Sequence, residues 1–364
     1  MTVTSELPGR FWHALDDGRL QCNLCPRYCK LKDGQRAFCF VRERRDDRIV
    51  LATYGRSTGF CVDPIEKKPL NHFLVGTPIL SFGTAGCNLG CRFCQNWDIS
   101  KSREVDRLAS KATPNDIALN AVEHGCSSVA YTYNDPVTWA EYVIDTAEAC
   151  HRHGVRNVAV TAGFITAEAR EEFFAPIDAA NVDLKAFTDK FYKDVCLSKP
   201  GGLQDVLDTL VWLVHESHVW VEITTLLIPG SNDSDSEIRE LCEWVAKELG
   251  CEVPVHFTAF HPDFKMKDRG NTPPATCKRA RQIGLDSGLH YVYTGNIHDP
   301  EGQTTSCPGC GQAVIERDRY RIGAYRLNAD GDCSKCRRRI SGVFGDEAGE
   351  WGQRRKRVPI RPRS

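Results

Sequence analysis

Between about residues 78 and 299 the chain alternates two hydrophobic rhythms. Short apolar runs fall at 78–82, 128–133, 155–161, 181–184, 219–228, 254–260 and 290–294, and each reads as a strand. Helical patterns lie between most of them. One opens at Thr113-Pro114-Asn115-Asp116, a hydroxyl–x–x–acid start with Pro in the first turn, and stops at Gly125. Another runs from about Pro136 to His153 and stops at Gly154. Repeated strand–helix units predict an α/β protein with a parallel sheet and helical crossovers, closed or partly closed as a barrel. The pattern alone also allows a doubly wound open sheet.

Cysteine separates this central region from its flanks. The chain carries 18 cysteines in 364 residues, high for this length, and a chain in a reducing compartment does not use them as structural disulfides. Eleven fall into three groups, which divides the chain into an N-terminal four-cysteine region (1–76), the α/β region (77–300), a C-terminal module (301–345) and a basic tail (346–364). The other seven, Cys196 among them, read as small buried apolar residues.

The most informative group is Cys87-x3-Cys91-x2-Cys94, directly after the first strand of the α/β region. Three thiolates hold only three irons of a 4Fe–4S cube and leave the fourth iron open for chemistry. A zinc ion would prefer a complete tetrahedron, and the loop supplies no fourth Cys or His. In the N-terminal region, Cys22, Cys25, Cys29 and Cys39 can close a shell around zinc or around an Fe–S cluster; the spacing leaves both open. Cys307-x2-Cys310 and Cys333-x2-Cys336 are paired knuckles that read as a zinc ribbon, with a hairpin of 312–315 and 319–325 between them.

Barrel-type proteins gather their chemistry at the C-terminal ends of the strands. The candidates there are Asn134 and Asp135, Gly163, Asp183 and Lys185, with Glu222 and Thr224 on the fifth strand and His256 and Thr258 on the sixth. Gly163 would let the backbone approach a ligand closely. Lys67, Lys68 and His72 precede the first of the parallel strands, and either fold over the mouth or cap the bottom.

The remaining bulk properties mostly exclude. No apolar run reaches 18 residues, so no membrane span is expected, and the first eight residues do not read as a signal peptide; a cytoplasmic location follows. The formal net charge of −1 hides a body of net −7 and a tail with six Lys or Arg after Glu350. The body does not suit nucleic acid, and the tail reads as a solvated, disordered end.

The central motif Gly86-Cys87-Asn88-Leu89-Gly90-Cys91-Arg92-Phe93-Cys94 resembles the radical S-adenosylmethionine (SAM) superfamily. The resemblance implies a partial (β/α) barrel and a 4Fe–4S cluster on Cys87, Cys91 and Cys94. It also implies SAM chelated to the open iron, with reductive cleavage to methionine and a 5′-deoxyadenosyl radical. Phe93 would lie near the adenine, and Asn134 and Asp135 would help hold the SAM amino group. Gly163 would face the ribose or methionine, and Asp183 and Lys185 match the Asp-x-Lys of glycyl-radical-enzyme activases. The order of features, including 63–70 (Asp-Pro-Ile-Glu-Lys-Lys-Pro-Leu) and Gln95-Asn96-Trp97, is similar to the radical SAM enzyme of the AmmeMemoRadiSam system. That implies AMMECR-type and Memo-type partners and an electron donor such as flavodoxin or ferredoxin. Two other readings compete: an activase that places a glycyl radical on a partner enzyme, and a metal-stabilised scaffold without turnover.

Overall fold

The computed structural model describes residues 7–101, 110–328 and 330–360. Nine strands form the main sheet: β1 (Phe60–Pro64), β2 (Pro78–Phe82), β3 (Ser128–Tyr131), β4 (Arg156–Thr161), β5 (Ala179–Asp183), β6 (Trp220–Leu227), β7 (Val255–Ala259), β8 (Val292–Gly295) and β9 (Lys356–Val358). β2 to β8 are parallel and lie side by side in chain order. A doubly wound sheet reverses its strand order at a switch point; this one does not. The order is that of a barrel, and it stays partial, because among the described residues β8 pairs only with β7 while β1 and then β9 extend the other edge antiparallel.

Helices α1 (Pro114–Glu123), α2 (Ala140–Arg152), α3 (Ala167–Phe174), α4 (Leu203–Glu216), α5 (Asp235–Trp244) and α6 (Pro274–Asp286) fill the successive crossovers. The start of α1 is the cap read from sequence. Thr113 Oγ1 accepts the Asp116 N–H at 3.1 Å, and Asp116 Oδ2 accepts the Thr113 N–H at 2.9 Å. The 136–153 pattern resolves into a 3-10 turn, Pro136–Trp139, followed by α2.

The N-terminal cysteine region is built from two small antiparallel sheets, yet its apolar residues merge with those of the barrel. Leu20, Leu24, Val41 and Ile49 belong to the same buried cluster as Phe82, Trp139 and Tyr142. A buried ion pair ties the two together: Arg42 contacts both carboxylate oxygens of Glu141 on α2, at 2.8 and 2.9 Å.

The segment between β1 and β2 closes the bottom of the barrel. The N–H groups of Asn71 and His72 donate to Glu222 near the start of β6 (2.9 and 2.7 Å), and Asn181 Nδ2 donates to the Pro69 carbonyl (2.8 Å). Lys67 and Lys68 pair with Asp63 on β1 at 3.0 and 2.9 Å. Of the two placements open in the sequence, the structure therefore selects the floor.

The tail corrects an expectation of disorder: its backbone is docked while the side chains of residues 353–357 stay exposed. The N–H groups of Gly349 and Trp351 donate to the carbonyls of Val75 and Gly76, and β9 pairs with residues 60–62. Arg355 reaches Asp63 at 3.8 Å. Arg361 and Arg363 lie outside the described residues. Among the described residues no helix is long and apolar enough to cross a membrane.

His72 makes this floor pH-sensitive. Its Nδ1–H donates to the Ser341 carbonyl and its Nε2 meets the Tyr293 hydroxyl, both at 2.6 Å; in the neutral ring Nε2 accepts from that hydroxyl. Burial pushes its pKa down to about 4, against the pull of Glu222. As the pH falls below 6.5 the unfolded chain takes up this proton first, while the folded chain refuses it until about 4. Folding stability should fall across that window by about 3 kcal/mol and level off below it. Urea midpoints of wild type and His72→Asn between pH 7 and 4 test this: the wild-type slope should be the steeper, and parallel slopes would refute it.

Candidate active site

At the C-terminal ends of the parallel strands lies a cavity of about 270 Å³ onto which Cys87, Cys91 and Cys94 all open. Among the described residues no other cysteine and no histidine lines it. The three sulfurs do not converge within 4.8 Å of one another, as ligands of a single ion would. Three thiols spread around one cavity fit the corners of a cube, and the residues present therefore suit a 4Fe–4S cluster, which Cys87, Cys91 and Cys94 would hold.

The loop that presents them is held from several sides. Asn134 Oδ1 accepts the Thr84 N–H (3.0 Å), and its Nδ2 donates to the carbonyls of Ala85 and Gly86 (3.1 and 2.8 Å). The backbone N–H groups of Gly90 and Arg92 donate to the carbonyls of Cys196 and Val195 (2.8 and 2.9 Å). Lys101 Nζ donates to the Leu89 carbonyl at 2.6 Å, and Ser100 Oγ lies 3.0 Å from Cys94 Sγ.

Cys196 is the residue that sequence reasoning missed. Its buried thiol is hydrogen-bonded to Cys91, lowering the Cys91 pKa, with Lys185 adding to the effect. It sits behind Cys91 and does not line the cavity, so it supports a ligand without completing the set. A lone cysteine about a hundred positions away carries no sequence signal for this role.

Phe93 is buried, lines the cavity and packs against Phe191 at 5.8 Å between ring centroids. Lys185 Nζ lies 5.9 Å from the Phe93 ring and 2.8 Å from Asp183. Burial opposes the lysine charge, but Asp183, Cys91 and Cys196 outweigh it and hold its pKa well above the ordinary value. Both Asp183 and Lys185 line the cavity, as do Thr224 and Thr258.

Asn134 and Asp135 also reach the cavity, but their polar atoms are largely committed to the protein. Asn134 clamps the cluster loop. Asp135 accepts the N–H groups of Val137 and Ala162 and the Thr161 hydroxyl at 3.0–3.1 Å, which ties the end of β3 to the end of β4. Burial raises its pKa despite these donors. Gly163 follows Ala162, which lines the cavity, without lining it itself; a Cβ there would meet Val182 Cγ1 at 3.0 Å, with φ at +64°. It is glycine for backbone and packing reasons.

Glu222 and His256 pair with each other (2.7 Å) below the cavity. A second recess of about 360 Å³ adjoins it, sharing Pro69, Thr258 and Asn296. Its walls include Glu66, His256, Arg317 and Tyr320. Glu66 Oε1 accepts the Gly76 N–H, while buried Oε2 has no hydrogen-bond partner among the described residues; burial pushes its pKa up to about 7.

The N-terminal thiols of Cys22, Cys25, Cys29 and Cys39 line one recess against the cluster loop. The C-terminal thiols of Cys307, Cys310, Cys333 and Cys336 converge within 4.8 Å, with sulfur pairs at 3.5 and 3.7 Å. Residues Ala313–Asp318 and Arg321–Tyr325 form the hairpin between these knuckles.

Residues 82–245 match the Radical SAM superfamily, and the chain belongs to that superfamily. Over 327 residues it is 38% identical to an uncharacterized protein, MJ0808, of Methanocaldococcus jannaschii, covering 90% of this chain and 96% of that one. It is 23% identical over 192 residues to the pyruvate formate-lyase 1-activating enzyme of Escherichia coli, covering 50% of this chain and 74% of that one. Among solved structures, a radical SAM methyltransferase from Sphaerobacter thermophilus shares the fold with a TM-score of 0.50 at 17% identity, covering 86% of this chain and 82% of that one.

Proposed function

We propose that this chain is a radical SAM enzyme: it holds a 4Fe–4S cluster on Cys87, Cys91 and Cys94 and abstracts hydrogen from a substrate not yet identified. The observation that carries the reading is the cavity itself, onto which three thiols open with no fourth Cys or His among the described residues. When bound, the cluster and SAM supply one-electron cleavage of the sulfonium to methionine and a 5′-deoxyadenosyl radical. The chain's own residues orient and shield. Phe93 offers an apolar wall beside the ligand loop, Lys185 with Asp183 supplies a fixed charge pair, and Asn134 and Asp135 hold the loop and strand ends in register. The strand and helix walls keep water and stray hydrogen donors from a reactive carbon centre.

The recess beside Glu66 is where the substrate would sit, since it joins the cavity through Thr258 and Asn296. Zinc on Cys307, Cys310, Cys333 and Cys336 would staple the C-terminal module. The order of motifs supports a place in the AmmeMemoRadiSam system, with AMMECR-type and Memo-type partners and a flavodoxin- or ferredoxin-type donor. Likeness to the pyruvate formate-lyase 1-activating enzyme over half the chain supports a second target, a glycyl-radical enzyme; an EPR doublet on an incubated partner would select it.

The test is anaerobic reconstitution with iron and sulfide, followed by dithionite and SAM. Wild type should form 5′-deoxyadenosine and methionine, and Cys94→Ala should not. No 5′-deoxyadenosine above the Cys94→Ala control would reject the reading.

A further inference from the structure

We infer that Cys22, Cys25, Cys29 and Cys39 hold a second 4Fe–4S cluster and that this cluster passes electrons to the catalytic site. The chain contains its own standard for comparison. The four C-terminal sulfurs lie within 4.8 Å of one another, with pairs at 3.5 and 3.7 Å. A zinc tetrahedron with Zn–S bonds of about 2.3 Å has edges of about 3.8 Å, so that group has the size of a zinc site. The N-terminal four do not: among the described residues no three of their sulfurs fall within 4.8 Å.

Those four thiols nonetheless face one recess, and it admits a water-sized sphere, with a volume of about 10 Å³. A zinc tetrahedron, its sulfurs about 2.3 Å from the centre, has no such hole. Four thiolates set wide around a common void match a cube, in which each binds a different iron. Arg27 and Arg42 line the same recess; the Arg42 charge is matched by Glu141, and Arg27 would offset part of the negative charge of a four-thiolate cluster.

Its position gives the second cluster its role. Asn88, between the catalytic ligands Cys87 and Cys91, forms part of the recess wall. Arg27 donates through Nε to the Asn88 carbonyl and through its terminal nitrogens to the carbonyls of Leu197 and Lys199. A Cβ on Gly86 would come within 2.0 Å of the Cys39 carbonyl oxygen, so the backbone of a ligand to one site touches the residue before a ligand to the other. A low-potential one-electron donor reduces the N-terminal cluster. Transfer then oxidises that cluster and reduces the catalytic one by the same electron, with no bond made or broken.

The relay rests on the radical SAM reading; the cluster assignment does not. Iron, sulfide and zinc are therefore counted on anaerobically reconstituted wild type and on the Cys87→Ala/Cys91→Ala/Cys94→Ala variant. Wild type should carry about eight irons and the variant about four. A variant free of iron, or wild type with about four irons and about two zincs, would overturn the assignment whatever the SAM assay shows. For the relay, Cys25→Ala/Cys29→Ala should lose about four irons, and SAM cleavage driven by reduced flavodoxin should drop relative to wild type. It should keep the SAM-induced change in the EPR spectrum of the catalytic cluster, which also reports that the barrel has folded. Unchanged flavodoxin-driven cleavage would overturn the relay; if the variant does not fold, electron transfer is read on wild type by rapid-freeze EPR after mixing with reduced flavodoxin, where the N-terminal signal should decay as the catalytic signal grows, and an N-terminal signal that persists while the catalytic cluster stays oxidised would overturn it.

Discussion

Removing metal from the proposed zinc site at Cys307, Cys310, Cys333 and Cys336 should unfold the C-terminal module, with an effect on the order of 10 kcal/mol. The module's own buried cluster is small: Val314, Ile315, Leu327 and Ile340, with the cysteines, against Val75, Tyr291 and Tyr293 from the barrel side. A core of that size does not offset the entropy of ordering the segment, so the metal's binding free energy becomes folding free energy. The consequence reaches the barrel. The Ser341 carbonyl holds His72 in its tautomer, and Val343 and Gly349 bond to the floor segment through backbone hydrogen bonds. Arg317, from the same module, donates to the Asn71 carbonyl at 2.6 Å and lines the recess beside the cavity. Chelation should therefore release about one zinc, expose protease sites between residues 306 and 345, and flatten the pH response assigned to His72. Metal-free protein with an unchanged cleavage pattern would refute the staple.

The barrel was legible because its strands are short apolar runs that alternate with helical periodicity, and β2 matches its expected bounds, Pro78–Phe82, residue for residue. What the pattern could not show was anything stabilised by a partner distant in sequence. β1 contains Asp63 and ends in Pro64, features that argue against a strand until its pairing with β2 and β9 and the approach of Arg355 to Asp63 are seen. β9 is three residues in a run of arginine and lysine; it is ordered by the edge that β1 offers, a tertiary effect outweighing local composition.

The same division runs through the site. The spacing of Cys87, Cys91 and Cys94 is local and could be read directly, whereas Cys196 arrives beside Cys91 only through the fold. Glu222 and His256 were visible as polar residues on neighbouring strands, but their mutual pairing depends on the parallel register, which sets Thr224 opposite His256. At Gly163 a glycine after a strand suggests a ligand's close approach; its positive φ and the contact with Val182 add a backbone and packing reason that the sequence does not show.

Replacing Glu141 by alanine should destabilise the protein by about 3–5 kcal/mol, the cost of leaving a buried charge without its partner. Arg42 is 1% exposed and Glu141 0%. Burial works against the guanidinium charge, but Glu141 more than compensates and raises the Arg42 pKa above its ordinary value. Without the carboxylate, Arg42 keeps only its bond to the Arg10 carbonyl, and the Arg10 N–H loses its acceptor. The charge has nowhere to go, because arginine does not deprotonate. Arg42 also walls the recess of the N-terminal cysteines, so the strain should loosen the proposed second metal site before the barrel melts. Glu141→Gln, which can still accept hydrogen bonds, should cost less, and Arg42→Met with Glu141→Leu should recover much of the loss, since apolar isosteres remove both charges together. Urea midpoints of the three variants, read by tryptophan fluorescence, decide the matter. If Glu141→Ala costs under about 1 kcal/mol, the pair behaves like a surface bridge and the N-terminal region is held by its shared apolar core instead.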